Sequence, residues 1–166
     1  MKLVYYPSQI LSTKCQDVSI FDETLHKLLD SMKEIMYSSK GVGLAAPQIG
    51  ENINLFIMDS SVKDGKKNKL VECINPRIID SSGNQSSYEG CLSLPGPFDY
   101  LNRPQEICFT YQDRYGNVYK SVAIDYEATI VAHEIDHLNG KLFIDCLSRQ
   151  SRRKLLSKYN KQGVKK

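Results

Sequence analysis

Apolar positions along the chain follow two periods, and the change from one to the other predicts where elements begin and end. Behind Asp22, residues Leu25, Leu28, Leu29, Met32 and Ile35 recur at helical spacing until residues 38–43 break the pattern. With Asp22 as N-cap, this predicts an amphipathic helix of about four turns. His26 stands beside Leu25, off the apolar stripe, and is expected at the surface and not as a ligand. Strands are predicted at residues 54–59, at 70–74 and 77–79 on either side of Asn75-Pro76, at 107–112 and at 118–124. The last two flank a Tyr-Gly-Asn turn and outline an antiparallel hairpin. The first twenty residues read as loop, residues 63–69 and 81–87 as turns, and 88–96 as short and turn-like. Asp125 is placed to cap a second helix, with Glu127 in its first turn, and a basic helix runs from Ser148 to about Tyr159. Strands followed by a buried helix argue for an α+β fold: antiparallel sheets packed around a central helix, with an amphipathic helix before them and a basic one after.

The second helix changes the picture from fold to chemistry. Its sequence VAHEIDHLNG places His133, Glu134 and His137 in the order H-E-x-x-H. At about 100° per residue the two imidazoles lie about 40° apart and one turn apart along the axis, a spacing suited to one divalent metal. Glu134 stands roughly 60° further round, in reach of a ligand of the metal but not of the metal itself. Val131, Ile135 and Leu138 fall opposite, so the helix has an apolar face to bury and an ionisable face to use. The bland alternative is a buried helix whose histidines are merely hydrogen-bonded.

A catalytic site of this kind needs a third protein ligand and one open position. The metzincin extension is matched as far as Gly140, but Phe143 occupies the place of its third histidine. No glutamate follows Glu134, which excludes a thermolysin-like set; Asp145, eight residues past His137, is the only downstream carboxylate that could substitute and a weak candidate. Upstream, Cys91 lies in a glycine-flanked segment, YEGCLSLPG, that could bring a thiolate to a metal. A Cys/His/His set is therefore the best remaining combination, against the expectation that a lone cysteine is a small core residue. A further segment, GVGLAAPQIG at residues 41–50, has two glycines one residue apart and then Gln48, as where something approaches the backbone closely. It is not a phosphate loop, since the third glycine is missing and no strand precedes it.

Composition adds limits. With 166 residues, 41% hydrophobic and 25% charged, the chain suits one soluble domain with a sizeable core. No run reaches transmembrane length, and the first ten residues contain no extended apolar segment or cleavage site, so a cytoplasmic location is expected. Five cysteines without a C-x-x-C pair argue against a disulfide scaffold. Charge is unevenly distributed: residues 1–145 carry 14 basic and 19 acidic groups, a net of −5, whereas eight basic and no acidic residues follow. An acidic body with a basic tail directs any polyanionic partner to the tail, unless the tail is only a solvated helix end.

Taken together, GVGLAAPQ (41–48), EGCLS (89–93) and HEIDH (133–137) resemble the three signature motifs of peptide deformylases, in the same order and at similar spacing. The similarity extends over most of the chain, through Pro7, the Ile74-Asn75-Pro76 strand end and the Gly-Lys-Leu-Phe run at 140–143. One departure is Ala132, where the family usually has Gln; it points about 100° from His133, so an altered surround and an intact metal site are expected. The resemblance implies a hydrolase that removes the N-formyl group from the formyl-methionine of newly made polypeptides and releases formate. It implies one divalent ion on Cys91, His133 and His137, typically Fe(II), with Zn, Ni or Co also able to occupy the site. Glu134 would then move the proton of the attacking water, and the Gln48 amide and Leu92 backbone N–H would stabilise the oxyanion.

The same resemblance places the peptide beside the backbone of Val42, Gly43 and Gly90, with the methionine side chain among Val42, Thr129, Ile130 and His133. It pairs Glu89 with Arg103 as a structural salt bridge, leaves Asp136 to support the ligands, and links the basic C-terminal helix to the ribosome. On this reading residues 1–147 are the catalytic unit and 148–166 its basic tail. Two alternatives stay open: a peptidase of another H-E-x-x-H type, marked by a carboxylate third ligand, and a non-catalytic metal-binding or ribosome-associated protein. Gln48 and Glu134 argue against the second, because a purely structural metal needs neither.

Overall fold

The computed structural model describes residues 1–67 and 69–161. Helix α1, Glu23–Ser38, starts where the leucine stripe starts. The Asp22 carboxylate accepts the backbone N–H groups of Thr24 and Leu25 at 3.0 Å, satisfying two donors the first turn leaves free. Its inward face, Leu25, Leu29, Met32 and Met36, packs on Leu44, Leu55, Ile57 and Ile74 of the sheet. His26 is not at the open surface. Its Nε2 lies 2.8 Å from the Arg114 carbonyl and its ring meets Tyr115 edge-on at 5.3 Å, so it anchors a hairpin turn to α1.

Among the described residues seven strands follow: β1 (Gly43–Ala45), β2 (Leu55–Met58), β3 (Val71–Ser82), β4 (Gln85–Cys91), β5 (Leu94–Arg103), β6 (Glu106–Gln112) and β7 (Val118–Ile124). Five form an antiparallel sheet in the order β1-β2-β3-β6-β7, and β4-β5 form a separate hairpin. Helix α2, Tyr126–Leu138, lies on the larger sheet, its Ala128, Val131, Ala132 and Leu138 packed among Phe56, Cys73, Ile107, Phe109 and Ala123. The face meant for chemistry is buried too: Glu134 and His137 are 4% and 1% exposed. Helix α3, Arg149–Lys161, packs Leu155 and Tyr159 against Leu11, Leu101, Phe143 and Ile144. Among the described residues no helix is long and apolar enough to cross a membrane. Lys165 and Lys166 of the tail, and Asn68 of the expected 63–69 turn, lie outside the described residues.

Four local expectations are corrected. Strand β3 runs unbroken through Asn75-Pro76, because a register shift between Ile74 and Arg77 accommodates the proline. Asn75 adopts φ +51°, and its side chain donates to the Val18 carbonyl and Gln112 Oε1 while accepting the Val18 N–H, each at 2.8 Å. The turn expected at 81–87 shrinks to residues 83 and 84, and the stretch read as turn-like is the β4-β5 hairpin. That hairpin carries no apolar alternation, since its buried positions include Glu89 and Arg103. Asp125 precedes α2 but does not cap it with its side chain; at φ +52° its carboxylate accepts Gln105 Nε2 at 3.0 Å instead.

Phe109, fully buried beneath α2, tests the packing of helix on sheet. Phe109→Ala is expected to lower stability by about 3–5 kcal/mol, read as a lower urea midpoint at unchanged slope.

Candidate metal centre and active-site cleft

Cys91 ends β4, and His133 and His137 stand one turn apart on α2. Their ligating atoms lie within 4.8 Å of one another, and among the described residues this is the one His/Cys/Asp/Glu group so arranged. Cys91 Sγ is 3.2 Å from His137 Nε2, and the imidazoles meet edge to face at 4.9 Å. Phe143, at the metzincin ligand position, stacks its ring 6.4 Å from His133. Asp145 is engaged elsewhere, accepting the Leu142 N–H at 2.8 Å and pairing with Arg152 at 2.9 Å. Ala132 is buried in the apolar core, and the donor set assembles without a polar group there.

Behind the donors runs a buried ion network. Arg103 holds Glu89 through two parallel bonds, Nε to Oε1 at 2.8 Å and Nη2 to Oε2 at 2.9 Å, and donates Nη1 to Asp136 at 2.6 Å. Glu89 Oε2 also lies 2.8 Å from His133 Nδ1, which leaves Nε2 of that ring for a ligand. Burial works to raise the Glu89 carboxyl, but the bonds from Arg103 and His133 outweigh it and hold it at about 2. For His137, burial and then the charges of His133 and Arg103 keep the imidazole neutral, the form that ligates. Burial opposes charge on His133 as well, yet its bonds to Cys91 and Glu89 raise it, so a metal there competes with a proton.

Two further groups converge. Burial pushes Glu134 up to about 7, and its Oε2 has no hydrogen-bond partner among the described residues. The Gln48 carbonyl oxygen accepts the Ala45 N–H at 2.8 Å, fixing the amide so that Nε2 faces Cys91 Sγ at 3.5 Å. Gly43 is required by this packing, because a Cβ there would run into the Glu134 carboxylate, with Cδ at 2.9 Å. These groups open on a cavity of about 620 Å³, also lined by Val42, Gly43, Gly90, Thr129 and Ile130, the residues expected to contact a peptide, and by Leu92, the expected oxyanion donor. A sulfur, two imidazole nitrogens, an unpartnered buried carboxylate oxygen and a fixed amide fit one metal ion and a reacting carbonyl.

The sequence profile of the polypeptide deformylase family matches residues 1–153. The chain belongs to that family. It is 43% identical over 165 residues to the peptide deformylase of Bartonella henselae, covering 99% of this chain and 93% of the relative. With that of Helicobacter pylori strain G27 it shares 40% identity over 156 residues, 93% of this chain and 90% of the relative. Among solved structures, a peptide deformylase from Legionella pneumophila superposes with a TM-score of 0.89 at 38% identity, covering 99% and 98% of the two chains. The enzyme from Synechococcus elongatus, in complex with actinonin, gives 0.90 at 35%, covering 96% and 87%.

In this deformylase the sequence reading missed the bond from Glu89 to the His133 ring, for which no periodicity or motif gives a signal. No motif marked Tyr88, Phe98 and Tyr126 in the cavity wall either, although Phe98 alternates with Tyr100 along β5. Arg103→Ala leaves Glu89 buried without its cation and is expected to cost about 3–5 kcal/mol in urea unfolding. Because Glu89 is held at about 2 against an ordinary 4.5, its stabilisation is complete above pH 4.5 and is lost as pH falls toward 2. A Glu89→Gln variant is expected to lack that part of the acid dependence.

Proposed function

We propose that this chain removes the formyl group from the N-terminal formyl-methionine of newly made polypeptides, releasing formate and a free amino terminus, with Cys91, His133 and His137 as the ligands of one divalent ion. The observation that carries the reading is the convergence of a buried, unpartnered Glu134 oxygen and a fixed Gln48 amide on that donor set, in a chain of the deformylase family. When bound, the ion supplies the Lewis acidity that makes water a nucleophile at neutral pH and polarises the formyl carbonyl. Glu134 takes the proton from the attacking water and delivers it to the departing amine. Gln48 Nε2 and the Leu92 backbone N–H donate to the developing oxyanion; loss of one such donor costs about 3 kcal/mol of transition-state stabilisation.

β1 stands at the sheet edge, so its outer side is available to an extended peptide beside Val42 and Gly43, with Gly90 across the cleft. The methionine side chain enters between Val42, Thr129, Ile130 and His133. Fe(II) is the proposed ion in the cell, with Zn, Ni or Co able to replace it, and a thiolate ligand makes the iron form oxygen-labile. Residues 1–147 hold every group in this reaction, and the protein works in the cytoplasm. In residues 148–166, α3 turns Arg149, Arg153, Lys154 and Lys158 outward, a basic face suited to ribosomal RNA.

Protein purified anaerobically with iron is expected to release formate from a formyl-methionyl peptide, and Glu134→Ala to lower kcat roughly 10²- to 10⁴-fold while still binding one equivalent of metal. No release by the iron-loaded wild type overturns the assignment. Gly43→Ala, which displaces the Glu134 carboxylate, is expected to lower kcat with metal stoichiometry intact, as checked by metal analysis beside the formate assay.

A further inference from the structure

The β4-β5 hairpin exposes three aromatic rings that the reaction described above does not use. Tyr88 and Tyr100 are directly opposed across the hairpin with centroids 4.8 Å apart, and Tyr88 stacks on Phe98 at 5.4 Å and 23°. They are 61%, 66% and 54% exposed, so the three rings form one uncovered aromatic face. Phe98 lies flat over Gly90: a Cβ at Gly90 would meet its ring at 2.5 to 2.7 Å, so the glycine is what seats the ring on the strand. Tyr88 and Phe98 both belong to the wall of the active-site cavity, which makes the aromatic face continuous with the cleft.

We propose that this face recognises the second residue of the substrate and favours an aromatic side chain there. The inference rests on the deformylase reading and extends it. Among the described residues β4 pairs only with β5, leaving its other edge for a peptide strand, and side chains of an extended strand alternate between faces. On β4, Glu89 and Cys91 point inward to the histidines of α2, while Tyr88 and Gly90 occupy the opposite face. A peptide beside β4 that directs its methionine inward toward Thr129 and Ile130 therefore directs its second side chain outward, onto Phe98 and Tyr88. Tyr100, one strand further away and absent from the cavity wall, props Tyr88 and does not touch the peptide. A flat apolar side chain covers rings that otherwise face water, whereas alanine does not reach them.

Formate release from formyl-Met-Phe-Ser and formyl-Met-Ala-Ser tests this, with kcat and KM measured for each. Wild type is expected to favour the phenylalanine peptide by about two- to tenfold in kcat/KM, through KM with kcat similar. Tyr88→Thr, at an exposed strand position where threonine is well accommodated, is expected to bring the ratio close to one, and Phe98→Thr likewise. Tyr100→Thr is expected to lower it partway. Because the ratio is taken within each protein, differences in metal loading cancel. Equal kcat/KM for the two peptides in wild type, or a preference unchanged in both Tyr88→Thr and Phe98→Thr, overturns the proposal and leaves the deformylase reading standing. Failure of wild type to deformylate either peptide removes both.

Discussion

Glu89 is 5% exposed and is shared between Arg103 on β5 and His133 on α2, so one carboxylate fixes the distance from the hairpin to the helix. The proposed metal ligands come from those same two elements, with Cys91 two residues beyond Glu89 on β4 and His133 and His137 on α2. A buried anion of this kind is tolerated only when its cation and hydrogen bonds are complete, and Arg103 supplies both with a bidentate fork. Asp136, about 60° round the helix from His133, holds the third guanidinium nitrogen and stops Arg103 from turning away. The network therefore stands where a hydrophobic contact could hold the elements together but could not orient an imidazole.

The rest of the fold serves this joint. The five-stranded sheet gives α2 an apolar bed, and the burial that results removes water from Glu134 and His137. That desolvation carries Glu134 to about 7, where a carboxyl group can accept and return a proton near neutrality. Gly43 on β1 makes room for the carboxylate, and Gln48, tied to Ala45, brings the amide to the same cavity. Backbone bonds from Val4 to the Gln48 carbonyl and from Tyr6 to the Ser93 carbonyl hold the first two motifs to one N-terminal segment.

Most of the site was legible before any coordinates. Two histidines at helical spacing needed a third ligand, and counting what followed Glu134 left Cys91 as the strongest candidate; the structure brings all three donors together. Helix α1 and the β6-β7 hairpin were legible because aliphatic residues and a Tyr-Gly-Asn turn marked them. The β4-β5 hairpin was not, since the inward positions of β4 are Glu89 and Cys91 and those of β5 mix Leu94 and Leu101 with Arg103, while Tyr88, Phe98 and Tyr100 face outward. Binary patterning finds strands that bury aliphatic side chains alone, and this hairpin buries charge among them. Asp125 shows a similar limit: residue type and position suggested a cap, but a positive φ before α2 turns its side chain to Gln105.

The central claim is that Cys91, His133 and His137 hold a single ion together. Substituting cobalt(II) under anaerobic conditions and titrating to one equivalent tests it through the thiolate-to-metal charge-transfer band. The account predicts that the band saturates at one equivalent in wild type and disappears in Cys91→Ser. Its persistence in Cys91→Ser, or its absence from cobalt-loaded wild type, would contradict the account.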